Sequence, residues 1–344
     1  MTIIYFILVL GITILIHELG HFIFAKKAGV HVYEFALGMG PRIFKWTRKN
    51  DETEYSIRLL PIGGFVSMAG EDLEIDNKVP KEKQLCNVSW TNRFLVLFAG
   101  IAFNFILAII LLFVVGLVNG VPKNDNIISA VEYPMSETNI EIGDKIIGIN
   151  NTDINSYEHL TLELAINSGK TVYFNVMHKD KTTEKIKVTP SKQTVGEETS
   201  YIYGFALDDT KEYGIFESMN YSIKKTGRLV EQMTLIVSNL ITGRLNFNNL
   251  SGPVGIFKIV DSARSAGFIN IIYLIAYLCI NVGFINFIPF PAFDGGRILF
   301  LIIEKIKGKK INPKVENIIH SIGFGLLMIL MVLVTYNDII KIFK

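Results

Sequence analysis

The chain has 344 residues, half of them apolar, and its 34 basic and 32 acidic side chains leave a formal net charge of +2. That balance says nothing about nucleic acid, but no basic stripe interleaved with aromatics appears, and no nucleic-acid partner is expected. Cys86 and Cys279 are the two cysteines, without a Cys-x-x-Cys spacing, so neither a disulfide framework nor a cysteine zinc site is expected. A mean hydropathy of +0.37 is high for a soluble chain.

The first element is an apolar run that carries no charge over residues 2–16 and resumes at Phe22 after an interruption. It reads as a span over 1–26, not a signal peptide, because it lacks a basic n-region and a small-residue cleavage site. The interruption contains His17-Glu18-Leu19-Gly20-His21. On a helix, His-Glu-x-x-His puts two imidazoles on one face, about one turn apart, with a carboxylate between them. Such a pair can share a tetrahedral zinc, and the glutamate can take a proton from water that the metal activates. Ionisable groups at membrane depth are costly and ask for a functional explanation.

Residues 27–92 form a polar, basic loop. Segments 31–37 and 54–60 favour strands (Val32, Tyr33, Phe35; Tyr55, Ile57, Leu59), and Gly63-Gly64 predicts a tight turn. The expectation is a small hairpin sheet dipping toward the membrane site, whose open edge pairs with an extended substrate by strand addition. A second span over 93–118 follows, uncharged from Phe94 to Val118. The insert after it has mixed polarity. Strand-like pieces Ile127–Val131, Lys145–Ile149, Thr171–His178 and Glu184–Thr189 surround a helical patch, Tyr157–Asn167. Within 193–267, Phe216, Met219, Ile223, Leu229, Val230, Met233, Ile236 and Leu240 recur at helical spacing. They predict an amphipathic helix on the outer leaflet, with a soluble core helix as the alternative.

The third span, 268–296, is uncharged up to Asp294, and Pro289 and Pro291 should unwind it near its end. A basic loop, 297–315, and a fourth span, 316–337, complete the chain. All four runs meet the length of roughly 20 apolar residues needed to cross a bilayer. The loop after span three has six basic residues (Arg297, Lys305, Lys307, Lys309, Lys310, Lys314) against Glu304, and the loop after span one is also basic. Both should be cytoplasmic, which puts the termini and the insert outside. At roughly 1.5 Å per residue, His17 then lies about 20 Å below the outer surface, in the cytoplasmic half of the membrane.

A catalytic zinc usually keeps three protein ligands and one open position. His31, His159 and His178 sit in polar segments at the wrong depth, and His320 begins the fourth span. Asp294 is placed at the same depth as the histidine pair. It is a third ligand or a polar residue at a span's end.

With these motifs in order, the chain resembles the site-2 protease family, in its bacterial regulator-of-sigma-E branch. The resemblance rests on His17-Glu18-Leu19-Gly20-His21 and on Asn286-Phe287-Ile288-Pro289-Phe290-Pro291-Ala292-Phe293-Asp294-Gly295-Gly296. Weaker echoes are Leu60-Pro61-Ile62-Gly63-Gly64-Phe65-Val66-Ser67-Met68, Ala99-Gly100 with Asn104-Phe105, and Ser251-Gly252-Pro253-Val254-Gly255-Ile256. Ile101, Phe293 and Arg297 depart from the family pattern, where proline, leucine and histidine are common.

The resemblance implies a polytopic α-helical membrane protein of the bacterial inner membrane, with four transmembrane helices, a membrane-dipping β-hairpin sheet and an extracytoplasmic PDZ domain of mixed α/β structure over 119–192. It implies one zinc ion held by His17, His21 and Asp294, with Glu18 as general base. Asn281, Asn286, Gly63 and Gly64 become candidate substrate-strand contacts, and Asn104 another amide lining the site or joining helices. Single-span membrane proteins, such as anti-sigma factors or leftover signal peptides, are the expected substrates, with the PDZ domain a size filter or a chain-end binder. The rivals are a membrane zincin with a distal glutamate ligand, a non-catalytic PDZ adaptor, and a transporter, for which no internal repeat is visible.

Overall fold

The computed structural model describes residues 1–343 except 50, 72–75, 124–125, 196–197 and 246–251. Ser251 of the weaker echo therefore lies outside the described residues. The chain divides into two compact units, one formed by Met1–Leu112 with Phe247–Lys344 and the other by Phe113–Asn246.

Among the described residues, four helices are long and apolar enough to cross a membrane, matching the four expected runs. α1 (Thr2–Lys27) buries Val9, Thr13, His17, Gly20, His21 and Ala25. These recur at helical spacing, so one stripe faces protein and carries both histidines. β1 (Val32–Thr47) and β2 (Glu54–Met68) follow and pair with each other. α2 (Trp90–Asn119) is the second candidate span.

The strands are longer than expected, and their turn is elsewhere. The connection runs through 48–53, and Gly63-Gly64 lies inside β2, with Gly64 opposite Leu37. Gly63 (φ +97°), Gly38 (φ +92°) and Gly40 (φ +80°) adopt left-handed backbone where the register shifts. The glycines thus serve as bulges that bend the sheet, a use that shares its composition signal with a turn. Residues 34–37 have partners on both sides, at 54–57 and at 64–67. At the heart of this sheet Glu34 is buried and accepts hydrogen bonds from Ser56 Oγ (2.5 Å), Arg58 Nη2 (2.8 and 2.9 Å) and Arg42 Nη2 (2.9 Å). Burial pushes the Glu34 carboxyl up, but these hydroxyl and guanidinium donors outweigh it and hold it below the usual carboxylate range.

In the second unit β3 (Val121–Pro122), β4 (Ile128–Val131), β5 (Lys145–Ile149), β6 (Thr152–Asp153), α3 (Tyr157–Ile166), β7 (Val172–Met177), β8 (Thr183–Val188), β9 (Ser191–Val195), β10 (Glu198–Ile202), β11 (Phe205–Leu207), β12 (Lys211–Glu212) and α4 (Ile215–Ile241) succeed one another. The main sheet has the order β6-β5-β7-β8. Its core gathers Ile128, Ile146, Ile149, Leu160, Phe174 and Val176. Four strands and one helix fall within a few residues of the sequence expectation.

The expected boundary at 192 is too early. β11 pairs with β4, and Tyr203 enters the core while its hydroxyl donates to the carbonyls of Asn167 (2.9 Å) and Lys170 (3.0 Å). β4 is short and lacks an alternating pattern that would announce a partner some 75 residues away. α4 packs on α3, where Lys225 pairs with Glu158 and Gln232 Nε2 donates to the Glu158 carbonyl (3.1 Å). It also leaves Phe216, Met219 and Ile223 exposed.

The first unit resumes with α5 (Pro253–Ser265), α6 (Phe268–Phe287), α7 (Asp294–Lys307) and α8 (Pro313–Phe343). Two expectations are corrected here. The third span ends at Phe287, and Asp294 opens a new helix instead of closing the span. The basic segment expected as a loop over 297–315 is helical through Lys307, because Ile298, Leu301 and their neighbours give it an apolar face that buries against α2. Trp90 Nε1 donates to the Leu301 carbonyl (2.8 Å), and Arg93 meets both Glu304 oxygens at 2.9 Å.

α5 lay unrecognised within the expected outer region and packs on α1, α6 and α8. Proline at its first turn and Gly252 at its N-cap start it. Asp338 of α8 is buried and accepts from the backbone N–H groups of Gly252 (2.8 Å) and Gly255 (2.9 Å), filling donors that the helix leaves unpaired. Asp338→Ala should lower the free energy of unfolding by on the order of 2 kcal/mol, since charged hydrogen bonds vanish and two donors lose their partner. Unfolding midpoints in detergent check this, with Asp338→Asn expected between the alanine variant and the wild type; an unchanged alanine midpoint would refute it.

Candidate metal centre

Three elements converge in the first unit. α1 brings His17, Glu18 and His21, α7 brings Asp294 at its first residue, and α2 passes beside the histidines. His17 Nε2 and His21 Nε2 lie 3.1 and 3.3 Å from Asp294 Oδ2, and 3.3 Å from each other. No other group of three histidine, cysteine or carboxylate side chains among the described residues has its ligand atoms so close together.

The spacing tests whether zinc fits. Bonds of about 2.0–2.2 Å to corners of a tetrahedron put neighbouring ligand atoms about 3.3–3.6 Å apart, and the three observed separations fall at or just below that range. The atoms that meet are basic ones. His21 Nδ1 faces the Val96 carbonyl at 2.8 Å, which requires N–H there and leaves the Nε2 lone pair toward Asp294. Asp294 Oδ2 is itself buried without a hydrogen-bond donor. Two imidazole lone pairs and a buried carboxylate oxygen make a donor set for a cation, and the residues fit zinc.

Glycine permits the approach. A Cβ on Gly100 of α2 would strike His21 Nε2 and come within 2.9 Å of His17 Cε1. A Cβ on Gly20 of α1 would strike the Ala99–Gly100 backbone, so both helices are bare where they cross. Asp294 is aimed by similar means. Residues 288–293 are non-helical after α6, and Cβ atoms on Gly295 and Gly296 would strike the carbonyls of Phe287, Ile288 and Phe290. Ala292 has φ +90°, which a side chain disfavours, and its N–H donates to His320 Nδ1 at 3.2 Å. His320 thus braces the segment before Asp294, a role that its place at the start of a span did not suggest.

A cavity of about 610 Å³ opens on this cluster and is lined by His17, Glu18, His21, Asp294, Phe65, Val66, Asn286, Arg297 and His320, among others. Of the four candidate substrate contacts, only Asn286 lines it. Asn281 Nδ2 donates to the Tyr277 carbonyl (3.1 Å) within its own helix. Gly63 and Gly64 do not line it, although a Cβ on Gly64 would lie 3.5 Å from Glu18 Cγ. That closeness lets β2 run past the glutamate. Arg297 reaches across to Glu71 (2.7 Å) beyond the end of β2. His31 pairs with Glu52 (3.0 Å) and His178 with Asp144 (2.8 Å), and neither they nor His159 join the cluster. Both cysteines are free and buried.

Four apolar helices around a buried His-His-Asp cluster, with a glutamate at its side, define a class, the metallopeptidases of membranes. The model of Peptidase family M50 matches residues 5–330, and the chain belongs to that family. Its relatives include the zinc metalloprotease RasP of Bacillus licheniformis, 33% identical over 421 residues, and the regulator of sigma-W protease RasP of Bacillus subtilis, 33% identical over 427 residues. Each alignment covers 99% of both chains. The protein is a zinc metalloprotease with helices suited to a membrane.

Proposed function

We propose that His17, His21 and Asp294 hold one zinc ion, that Glu18 is the general base, and that the enzyme cleaves single-span membrane proteins within the bilayer. The observation that carries this reading is the convergence of two histidine Nε2 atoms and Asp294 Oδ2 on a cavity that Glu18 also lines. Zinc bound there supplies Lewis acidity to a scissile carbonyl and to an attacking water. Glu18 takes the water's proton and returns it to the departing amine. Asn286 faces the same space with an amide that can hold a peptide backbone.

A substrate helix hides its peptide bonds in internal hydrogen bonds, so it must unwind to be cut. β2 supports a means, because its 64–68 stretch lies next to Glu18 and can add an extended strand. The exposed side chains of Met39, Ile43, Phe44, Leu59 and Leu60 suit a sheet that dips into lipid. Loop charge supports cytoplasmic placement of this side, in the inner membrane, with both termini and the 113–246 unit outside. That unit reads as a PDZ domain. Its cavity of about 550 Å³ has an apolar lining of Leu160, Leu164, Phe205 and Leu207 that suits the last side chain of a chain end, with Glu158, Asp208 and Asp209 beside Lys225 and Arg228, and the unit's bulk suits a size filter. The proposed substrates are membrane-anchored anti-sigma factors or remnant signal peptides. The name of the B. subtilis relative favours the former.

The test is reconstitution in lipid vesicles with a tagged single-span substrate whose outer domain has been trimmed. Cleavage in the cytoplasmic half of its helix should stop when a chelator strips the enzyme and return with zinc. Undiminished cleavage by stripped enzyme, or an uncut substrate beside fully zinc-loaded enzyme, rejects the reading.

A further inference from the structure

His17 and His21 occupy equivalent places in the cluster, but their outer nitrogens meet different partners. His21 Nδ1 has the Val96 carbonyl, a backbone acceptor. His17 Nδ1 has the side-chain amide of Asn104, whose Nδ2 is 3.4 Å away. Asn104 is fully buried, and its Oδ1 has no hydrogen-bond partner. An imidazole that ligates through Nε2 carries its proton on Nδ1 and needs an acceptor there. Half a turn of the amide exchanges its oxygen and nitrogen without changing its shape, and brings Oδ1 to that proton.

We infer that Asn104 is a positioning residue for the metal centre: its amide oxygen receives the His17 Nδ1–H and so fixes the ring and tautomer that present Nε2 to zinc. α2 then serves both histidines within one helical stretch. Val96 supplies the acceptor for His21, Gly100 supplies the space beneath both rings, and Asn104, one turn on, supplies the acceptor for His17. The spacing Gly100-x-x-x-Asn104 places glycine and amide on one face of α2. This inference rests on the ligand set proposed above.

The test measures zinc affinity of the full chain in detergent by competition with a chelator of known affinity, with thermal unfolding as the check on folding. Asn104→Leu keeps the bulk and removes the acceptor, and should weaken zinc binding about 10–100-fold. Asn104→Asp restores an acceptor and should bind zinc within a few-fold of wild type or more tightly. A helix-packing role predicts instead that both variants lose affinity in step with stability. His17→Ala separates the two readings. If it abolishes binding while Asn104→Leu binds as wild type does, or if Asp fails to rescue, Asn104 has no positioning role. If His17→Ala binds zinc as wild type does, the ligand set itself is wrong and the inference falls with it.

Discussion

Glu18→Gln should slow cleavage of a membrane-embedded substrate by about 10²–10⁴-fold, the usual contribution of a positioned general base, while zinc content stays that of wild type. Glutamine keeps the shape of glutamate, exchanges one acceptor oxygen for an NH2 donor and loses the ability to take a proton. Glu18 stands one residue after His17, on the cavity side of α1. The helix turns each successive side chain by about 100°. The two histidines therefore share a buried stripe while Glu18 projects from its flank. Both measurements are needed, on the same preparation. Full zinc with lost cleavage assigns Glu18 to proton transfer. Wild-type cleavage by the variant would remove it from the chemistry, and zinc lost along with activity would make it a ligand or a support.

Asp294→Ala should strip the metal and leave a folded protein. Loss of a partner one shell out from a metal costs about 10–100-fold in affinity, so loss of a ligand costs more than about 100-fold. Zinc per purified chain should fall well below one, and cleavage with it. Folding should survive because α7 is anchored elsewhere, by Trp90 on the Leu301 carbonyl and by Arg93 on Glu304. Removing a buried carboxylate from between two imidazoles also removes a group that lacks a donor of its own. Metal analysis with an unfolding curve decides the matter. Unchanged zinc would exclude Asp294 from the centre, and an unfolded variant would show that the aspartate also has a structural duty.

The membrane helices were legible because an uncharged run of some 20 apolar residues is the length that a bilayer requires and a soluble core rarely uses. The His17–His21 pair was legible because helical geometry alone puts i and i+4 together. The second unit's strands followed from β-branched runs bounded by turn residues. The failures share a cause. Gly63-Gly64 has the composition of a turn, yet Gly63 bulges inside β2, since glycine marks left-handed backbone without saying which structure needs it. β11 completes a sheet with β4 from far along the chain, and no local pattern encodes that partner. The helix α7 was hidden by its lysines, whose charge suggested a loop while Ile298 and Leu301 buried the other face.

The site divides along the same line. His-Glu-x-x-His by itself determined that two histidines share one helix face with a glutamate at its flank, because 3.6 residues per turn leaves no freedom in that arrangement. Charge in the loops and the prolines before Asp294 led to the expectation of an aspartate at matching depth. Tertiary structure decided the rest: that Asp294 Oδ2 meets both Nε2 atoms, that the Val96 carbonyl and the Asn104 amide stand behind the two rings, and that His320 braces Ala292. These contacts join residues tens to hundreds of positions apart. They depend on where helices cross and on glycines that let them cross closely, and neither depth nor periodicity along one helix records which neighbour it will meet.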